Sequence, residues 1–246
     1  MSEADQGAWP NAPWWSALAD GKTIEQNLFG GPAPVRLSVV DCGDLALPHG
    51  RLVICDPFVF LEPENNRHIP VRPGRYPVRV TVADVSGLLD GSHEREAYAT
   101  VLLSHQPEVE RRILEPLRDG EAPSFEGLEA GEFFGFGVDA GTACFVDDGS
   151  VKAGMPAPDT WHEELFESGT KDAWFDRMDD PGHIRSGLAN IPLPQAQDGA
   201  NIILMHSGWG DGFYPVVGGF GADGQMVRVH IDFGMIRDPD ASGDEE

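Results

Sequence analysis

The chain has 246 residues, 41% of them hydrophobic, and 41 acidic against 17 basic side chains give a net charge of −24. That balance argues against nucleic acid and anionic membranes as partners, since both need a positive field to dock. A basic protein partner, a small polar ligand or a divalent cation remains open. No run approaches the ~18 apolar residues of a membrane helix. The opening MSEADQGAWPNAPWW lacks the basic-then-apolar layout of an export signal, so a cytoplasmic location is expected. The three cysteines, Cys42, Cys55 and Cys144, suit reduced, buried thiols. A Cys42–Cys55 bridge is conceivable if their two strands pair.

In chain order, residues 1–34 read as an irregular arm broken by prolines, with a short helical piece at WWSALAD that the two tryptophans anchor. VRLSVVDCG (35–43) and RLVICDPF (51–58) are rich in β-branched residues and read as strands joined by a turn. Residues 62–73 read as a loop. RYPVRVTVADVSG (75–87) alternates with period two, Tyr76, Val78, Val80 and Val82 sharing one face. EREAYATVLLS (94–104) makes a hairpin with it. The charged run 107–117 reads as a short helix broken by Pro116, and 119–130 as a loop. Two short strands, 132–138 and 143–146, flank the turn Asp139–Thr142. Residues 159–178 carry the strongest helical pattern, split near Ser168-Gly169-Thr170 and stopped by Pro181. Residues 182–200 read as an extended connection.

The stretch Asn201–Phe233 organises the rest. It reads as three strands and two glycine turns. Ile202, Leu204 and His206 share one face of the first strand, and Ile203 and Met205 the other. Val227, Val229, Ile231 and Phe233 form the core face of the last, opposite Arg228, His230 and Asp232. The expected architecture is a single α+β domain over 35–235, mainly antiparallel sheet with one or two helices packed on it and a C-terminal β-meander. An acidic, disordered tail is expected over 236–246.

Candidate chemistry gathers at the turns. Asp211 reads as a ligand, a general base, or a turn residue bonding its own backbone. Asp223 reads as a turn residue. Trp209 and Tyr214 offer a stacking platform for a sugar or base, or plain packing. His230 and Asp232 form a His–carboxylate couple or a metal pair, or else a solvated strand face. Asp139 stands at a strand-to-turn corner, with Thr142 adding a hydroxyl and Ser207 opening the later turn. Asp139, Asp147 and Asp211 are candidate ligands for a hard cation such as Mg²⁺ or Ca²⁺, with His206 or His230 as proton carriers. No dinucleotide fingerprint, P-loop, zinc HExxH or nucleophile elbow is present.

Three segments together, GFGVDAGTACFVD (135–147), the RYPVRV strand, and NIILMHSGWGDGFYPVVGGFGADGQMVRVHIDF, resemble the bacterial domain-of-unknown-function family numbered 4241. The resemblance spans residues 35–235. It implies a bacterial, soluble, single-domain protein with signature residues Asp139, Gly141, Asp147, Ser207, Gly208, Gly210, Asp211, Gly212, Tyr214, Gly224 and Asp232. It brings no activity with it. Turn geometry alone accounts for the glycines, which leaves Asp139, Asp147, Asp211 and Asp232 as the carboxylates of a shared site. Three functions fit: an acidic, immunity-like protein masking a basic partner, a metal-dependent hydrolase of a small polar substrate, or a sugar- or nucleobase-binding protein without catalysis.

Overall fold

The computed structural model describes residues 14–28, 31–86, 93–122, 132–197 and 199–237. Residues 1–13, most of the segment 119–130 that is expected as a loop, and the expected acidic tail from 238 lie outside the described residues. In chain order the first strands are β1 (Thr23–Leu28), β2 (Gly31–Leu47), β3 (Arg51–Cys55), β4 (His68–Pro70), β5 (Gly74–Asp84) and β6 (Glu94–Leu102). Next come β7 (Glu110–Ile113), β8 (Gly135–Val138) and β9 (Thr142–Asp147), then the helices α1 (Asp148–Gly154) and α2 (Trp174–Asp179). The chain closes with β10 (Leu188–Pro192), β11 (Asn201–His206), β12 (Gly212–Phe220) and β13 (Met226–Asp232).

The strands form two antiparallel sheets. The larger runs β1-β2-β5-β6-β13-β12-β7, with β8 also paired to β12, and the smaller runs β10-β11-β9-β3-β4. Their facing sides share one core. Val78, Val80, Val216, Val229 and Ile231 of the larger sheet meet Leu52, Ile54, Phe145, Ile203 and Met205 of the smaller. The alternate residues of the smaller sheet (Val53, Cys55, Cys144, Val146, Ile202 and Leu204) point the other way. There they bury Trp161, Phe166, Trp174 and Met178 of the helical segments. Period-two alternation therefore sorts each strand of the smaller sheet between two apolar layers. The expected fold class, α+β and mainly antiparallel sheet with helices packed on it, is the one observed.

Several expectations need correcting, and in each a tertiary partner overrides a local signal. β1 lies inside the supposed irregular arm. It pairs with the start of β2, where Pro32 and Pro34 face only Asn27 and Glu25. Both prolines lie beyond the reach of β5, so their missing N–H groups interrupt no second ladder. WWSALAD is a series of turns with Leu18 at φ 63°, not a helix. Its Trp15 does anchor it, packing on Tyr98 at 4.7 Å with the Arg111 guanidinium 4.6 Å above the ring. Residues 110–113 form an edge strand on β12, not a helix. Glu108–Arg111 and Glu110–Arg112 ion pairs line that edge. Strands β4 and β10 run through segments that read as loop and connection.

The long helical pattern resolves into a 3-10 turn (Pro158–Thr160), a π turn (His162–Phe166) and α2. Its aromatic residues are spent on the smaller sheet and on Phe58, which stacks on Phe175 at 4.1 Å. The short α1 carries no such pattern and is set by its cap. Finally, β2 and β3 do not pair. They belong to different sheets, so Cys42 and Cys55 are not neighbours across a ladder, and all three cysteines are free and buried.

Candidate functional site

The two glycine turns singled out in the sequence are twin corners. The strand β8 pairs with β12 in the larger sheet, and β9 pairs with β11 in the smaller. The turn Asp139–Gly141 and the turn Ser207–Asp211 therefore both cross between the sheets, side by side. The Ser207 N–H donates to the Gly141 carbonyl at 3.1 Å, and the Gly141 N–H donates to Asp211 Oδ1 at 3.0 Å. Gly141 sits at φ 61°, in the left-handed region that glycine adopts without a Cβ clash. Asp211 thus bonds the neighbouring corner instead of its own backbone. The second anchor is Asp56, fully buried, whose Oδ2 accepts the Asp139 and Ala140 N–H groups at 3.0 and 2.6 Å.

Ser207 and Tyr214 are part of this scaffold. Ser207 is buried and its hydroxyl donates to the Gly210 carbonyl at 2.7 Å. The Tyr214 hydroxyl shares its one proton between the carbonyls of Gly210 (2.7 Å) and Ser207 (2.8 Å). Tyr214 is 8% exposed and packs edge-on to Phe233 at 5.3 Å, so it offers no stacking face to solvent. Removing that hydroxyl takes one donor from each carbonyl, leaving Gly210 the Ser207 hydroxyl and Ser207 the Gly210 N–H. Tyr214→Phe is expected to cost about 1 kcal/mol, read as a lower urea midpoint with an unchanged slope.

Beside the corners opens a cleft of about 620 Å³. Its walls are Glu94, Arg95 and Glu96 of β6, the backbone of Ala140–Thr142, Phe175, Met178 and Asp179 of α2, Arg185, and His206 with Trp209. Trp209 is 48% exposed, and the Arg95 guanidinium lies 5.3 Å from its ring. Arg185 donates to Glu94 at 3.0 Å. Thr142 is buried, its hydroxyl donating to the Ala140 carbonyl.

Glu96 is the unusual group. It is 3% exposed, and among the described residues no cation lies within ion-pair distance of it. Burial pushes its carboxyl up to about 7, only partly opposed by its own backbone N–H and then by Arg185 and Arg95. His206 keeps one edge in solvent, yet desolvation, helped by Arg95 and Arg185 and opposed by Asp179, lowers its imidazole below the usual range. Both converge on Gly187. A Cβ at that glycine would stand 2.8 Å from Glu96 Oε1 and 2.9 Å from His206 Nδ1. A carboxyl that titrates near neutrality and a neutral imidazole therefore face one spot, a pairing suited to hydrogen-bonding a ligand or moving a proton on it.

A β-bulge puts Glu96 there. Thr81 pairs with Tyr98, but Val82 pairs with Glu96, so Ala97 is an extra residue. Strict alternation would place Glu96 with Tyr98 and Thr100. The bulge turns it to the side of Val82, inward, at the mouth of the sandwich. The bulge carries no sequence signature. The available hint was an acid, Glu96, directly abutting the apolar half of a strand.

The remaining candidates lie elsewhere. His230 and Asp232 do share a face, together with Tyr98 and Thr100. That face is buried under the N-terminal arm and is not a solvated strand face. His230 is 1% exposed, with Nδ1 against Thr100 Oγ1 and Nε2 against Glu108 Oε2, both at 2.8 Å. Burial lowers its imidazole despite Glu108. Asp232 accepts the Gly234 N–H at 2.9 Å, and burial raises its carboxyl to about 7. Asp147 lies at the far end of β9, roughly 16 Å from the corners by strand rise. There it caps α1 and holds His49. Asp139 and Asp211 stand exposed at the corners. The three carboxylates do not converge, and among the described residues no cluster of three or more His, Cys, Asp or Glu side chains is placed to hold a metal.

A two-sheet antiparallel sandwich with helices on one face and a polar cleft beside its twin corners is the class of protein this geometry defines. Residues 45–231 match the family model described as a protein of unknown function, DUF4241. The chain belongs to that family. No curated protein and no solved structure gives a significant match. Among the described residues no helix is long and apolar enough to cross a membrane.

Proposed function

We propose that the chain binds a small polar ligand, of nucleoside or disaccharide size, in the cleft beside the twin corners. The observation that carries this reading is Glu96, a buried carboxyl that faces the cavity with no ion-pair partner among the described residues. Burying such a group costs free energy that packing alone would have removed by substitution with an apolar residue. The cleft volume falls within the range of small-molecule sites. Trp209 supplies an exposed ring for stacking, backed by Arg95, and the buried Glu96 with the exposed His206 supplies paired polar groups on the cleft wall. Asp139, Thr142 and Asp211 support the site by shaping the corner, and Ser207 and Tyr214 by holding it from behind.

The test is a thermal-shift panel of free sugars, nucleosides and nucleobases on the intact chain. A ligand at about 100 times its Kd stabilises by about 2.7 kcal/mol, enough to raise Tm by several degrees. Trp209→Ala, at an exposed position, is expected to leave the unliganded Tm within about a degree and to weaken binding at least tenfold, the scale of one lost stacking contact. A panel without hits, or a hit indifferent to both Trp209→Ala and Glu96→Gln, would remove the support.

A second reading, an immunity-like acidic protein that masks a basic partner, is favoured by the charge of −24. Long-range steering would then make association fast and strongly salt-dependent. Capture of a basic protein at low salt, released at 0.5 M salt and unaffected by Trp209→Ala, would favour this reading over the first.

A further inference from the structure

Cys55 and Cys144 are directly opposed on neighbouring antiparallel strands. Their sulfurs are 3.8 Å apart. Both side chains sit on the helix-facing side of the smaller sheet, so they already point the same way. Directly opposed antiparallel residues hold their Cβ atoms about 4.5–5.5 Å apart, close to the span a disulfide bridges. A turn of each side chain about χ1, with a slight approach of the strands, brings the sulfurs to bonding distance. Access is unequal. Cys144 is fully buried, whereas Cys55 is 8% exposed and lines a separate cavity of about 360 Å³ with Phe60, Phe136 and Phe213. Cys42 lies between the sheets, in the other apolar layer.

From this geometry we propose that Cys55 and Cys144 form a peroxide-responsive thiol pair that closes to a disulfide behind the Asp139–Gly141 corner. Hydrogen peroxide entering by the Phe60 cavity oxidises the Cys55 thiol to a sulfenic acid, releasing one water. Cys144 Sγ then attacks the Cys55 sulfur, the S–O bond breaks, and the hydroxyl leaves with the Cys144 proton as a second water. The two thiols lose two electrons and peroxide gains them. The bridge would be placed to affect the corner. Asp56, which follows Cys55, accepts the Asp139 and Ala140 N–H groups, and Cys144 lies two residues beyond Thr142. Drawing these strands together would tighten one wall of the cleft, a consequence that rests on the cleft being the ligand site. The reaction will be slow at neutral pH, because the hydrogen bond with Cys144 and then burial push the Cys55 thiol well above its usual range.

The experiment treats the full chain with hydrogen peroxide across pH 7 to 9, then counts thiols after denaturation and weighs the protein. Three thiols falling to one, a loss of two hydrogens in mass, and a peptide joining Cys55 to Cys144 are expected, the rate rising with pH. Cys144→Ala should stop the reaction at a sulfenic acid on Cys55 that dimedone traps. Slower amide exchange at Gly141 and Thr142 after oxidation is expected from the tightened corner. Three retained thiols, or oxygen added without a cross-link, would overturn the pair. Unchanged exchange would overturn the coupling to the cleft while leaving ligand binding to be judged by its own panel.

Discussion

Replacing Asp147 by alanine is expected to destabilise the protein by about 4 kcal/mol, a Tm loss of roughly 8–16 °C for a chain of this size. Asp147 is fully buried. Its Oδ1 accepts the Ser150 N–H at 3.1 Å as the N-cap of α1, and the Ser150 hydroxyl at 3.2 Å. The His49 N–H donates to Oδ2 at 3.1 Å, and His49 Nδ1 lies 2.7 Å from Oδ1. The Arg51 N–H adds a longer contact at 3.4 Å. Alanine would leave the buried Ser150 N–H and hydroxyl without an acceptor, each costing about 1–3 kcal/mol when unsatisfied, with the lost cap in addition, while the half-exposed His49 ring turns to water. The β2–β3 turn would come loose with α1, because the His49 ring packs close against Gly149, where a Cβ would stand 2.5 Å from it. Asparagine keeps one acceptor oxygen and should lose about half as much. Urea unfolding of both variants measures this, and a loss under 1 kcal/mol for alanine would contradict the buried cap.

The second large effect depends on pH. Glu96 has an ordinary value of 4.5 and stands near 7 in the fold. Below pH 4.5 it is protonated whether folded or unfolded, and burial costs no charge. Between 4.5 and 7 the unfolded chain ionises it while the folded chain does not, so stability falls by about 1.36 kcal/mol per pH unit. Above 7 the loss levels off at about 3 kcal/mol. Glutamine never ionises, so Glu96→Gln should match the wild type near pH 4.5 and exceed it by up to about 3 kcal/mol at pH 8. Burial sets the midpoint, opposed by the residue's own backbone N–H and then by Arg185 and Arg95, with Glu94 adding to burial. Asp232 moves from 3.8 to about 7, so Asp232→Asn should behave alike, with a gain of up to about 4 kcal/mol. Its Gly234 bond survives in the amide. Denaturant unfolding at pH 4.5, 6 and 8 decides this, and curves parallel to the wild type would refute the buried, raised carboxyls. If the cleft is a ligand site, Glu96→Gln should also gain stability while losing affinity, the usual trade at a functional position.

The parts of this fold that local pattern encodes were readable. Alternation in RYPVRV and NIILMH gave real strands with the right faces, because a sheet buried on one or both sides demands period two. Asp-Gly and Gly-x-Gly marked real turns. Charge was readable too, since it needs no geometry. The segments that read wrongly were those decided by a distant partner. Glu110–Ile113 has the charges of a helix but completes the edge of β12. The 159–178 aromatic pattern fits a long helix, yet its side chains are claimed separately by Phe58 and the smaller sheet. His230 and Asp232 read as a His–carboxylate couple, a metal pair or a solvated face because nothing local reveals that Trp15 packs on His230 and Tyr98.

By itself, then, the sequence determined an acidic, mainly antiparallel protein with two glycine corners, since alternation, turn chemistry and net charge are local or summed properties. Only the tertiary structure decided that β8 and β9, and likewise β11 and β12, part into different sheets, which makes the corners neighbours. It also placed the candidate site away from the carboxylates that the sequence singles out. A single extra residue at Ala97 reversed the side on which Glu96 falls, and the crossing of the sheets brought His206, Arg95 and Trp209 to the same cleft. Side-chain direction after a bulge and contact between strands far apart in sequence are set by pairing register, which no single stretch of chain carries.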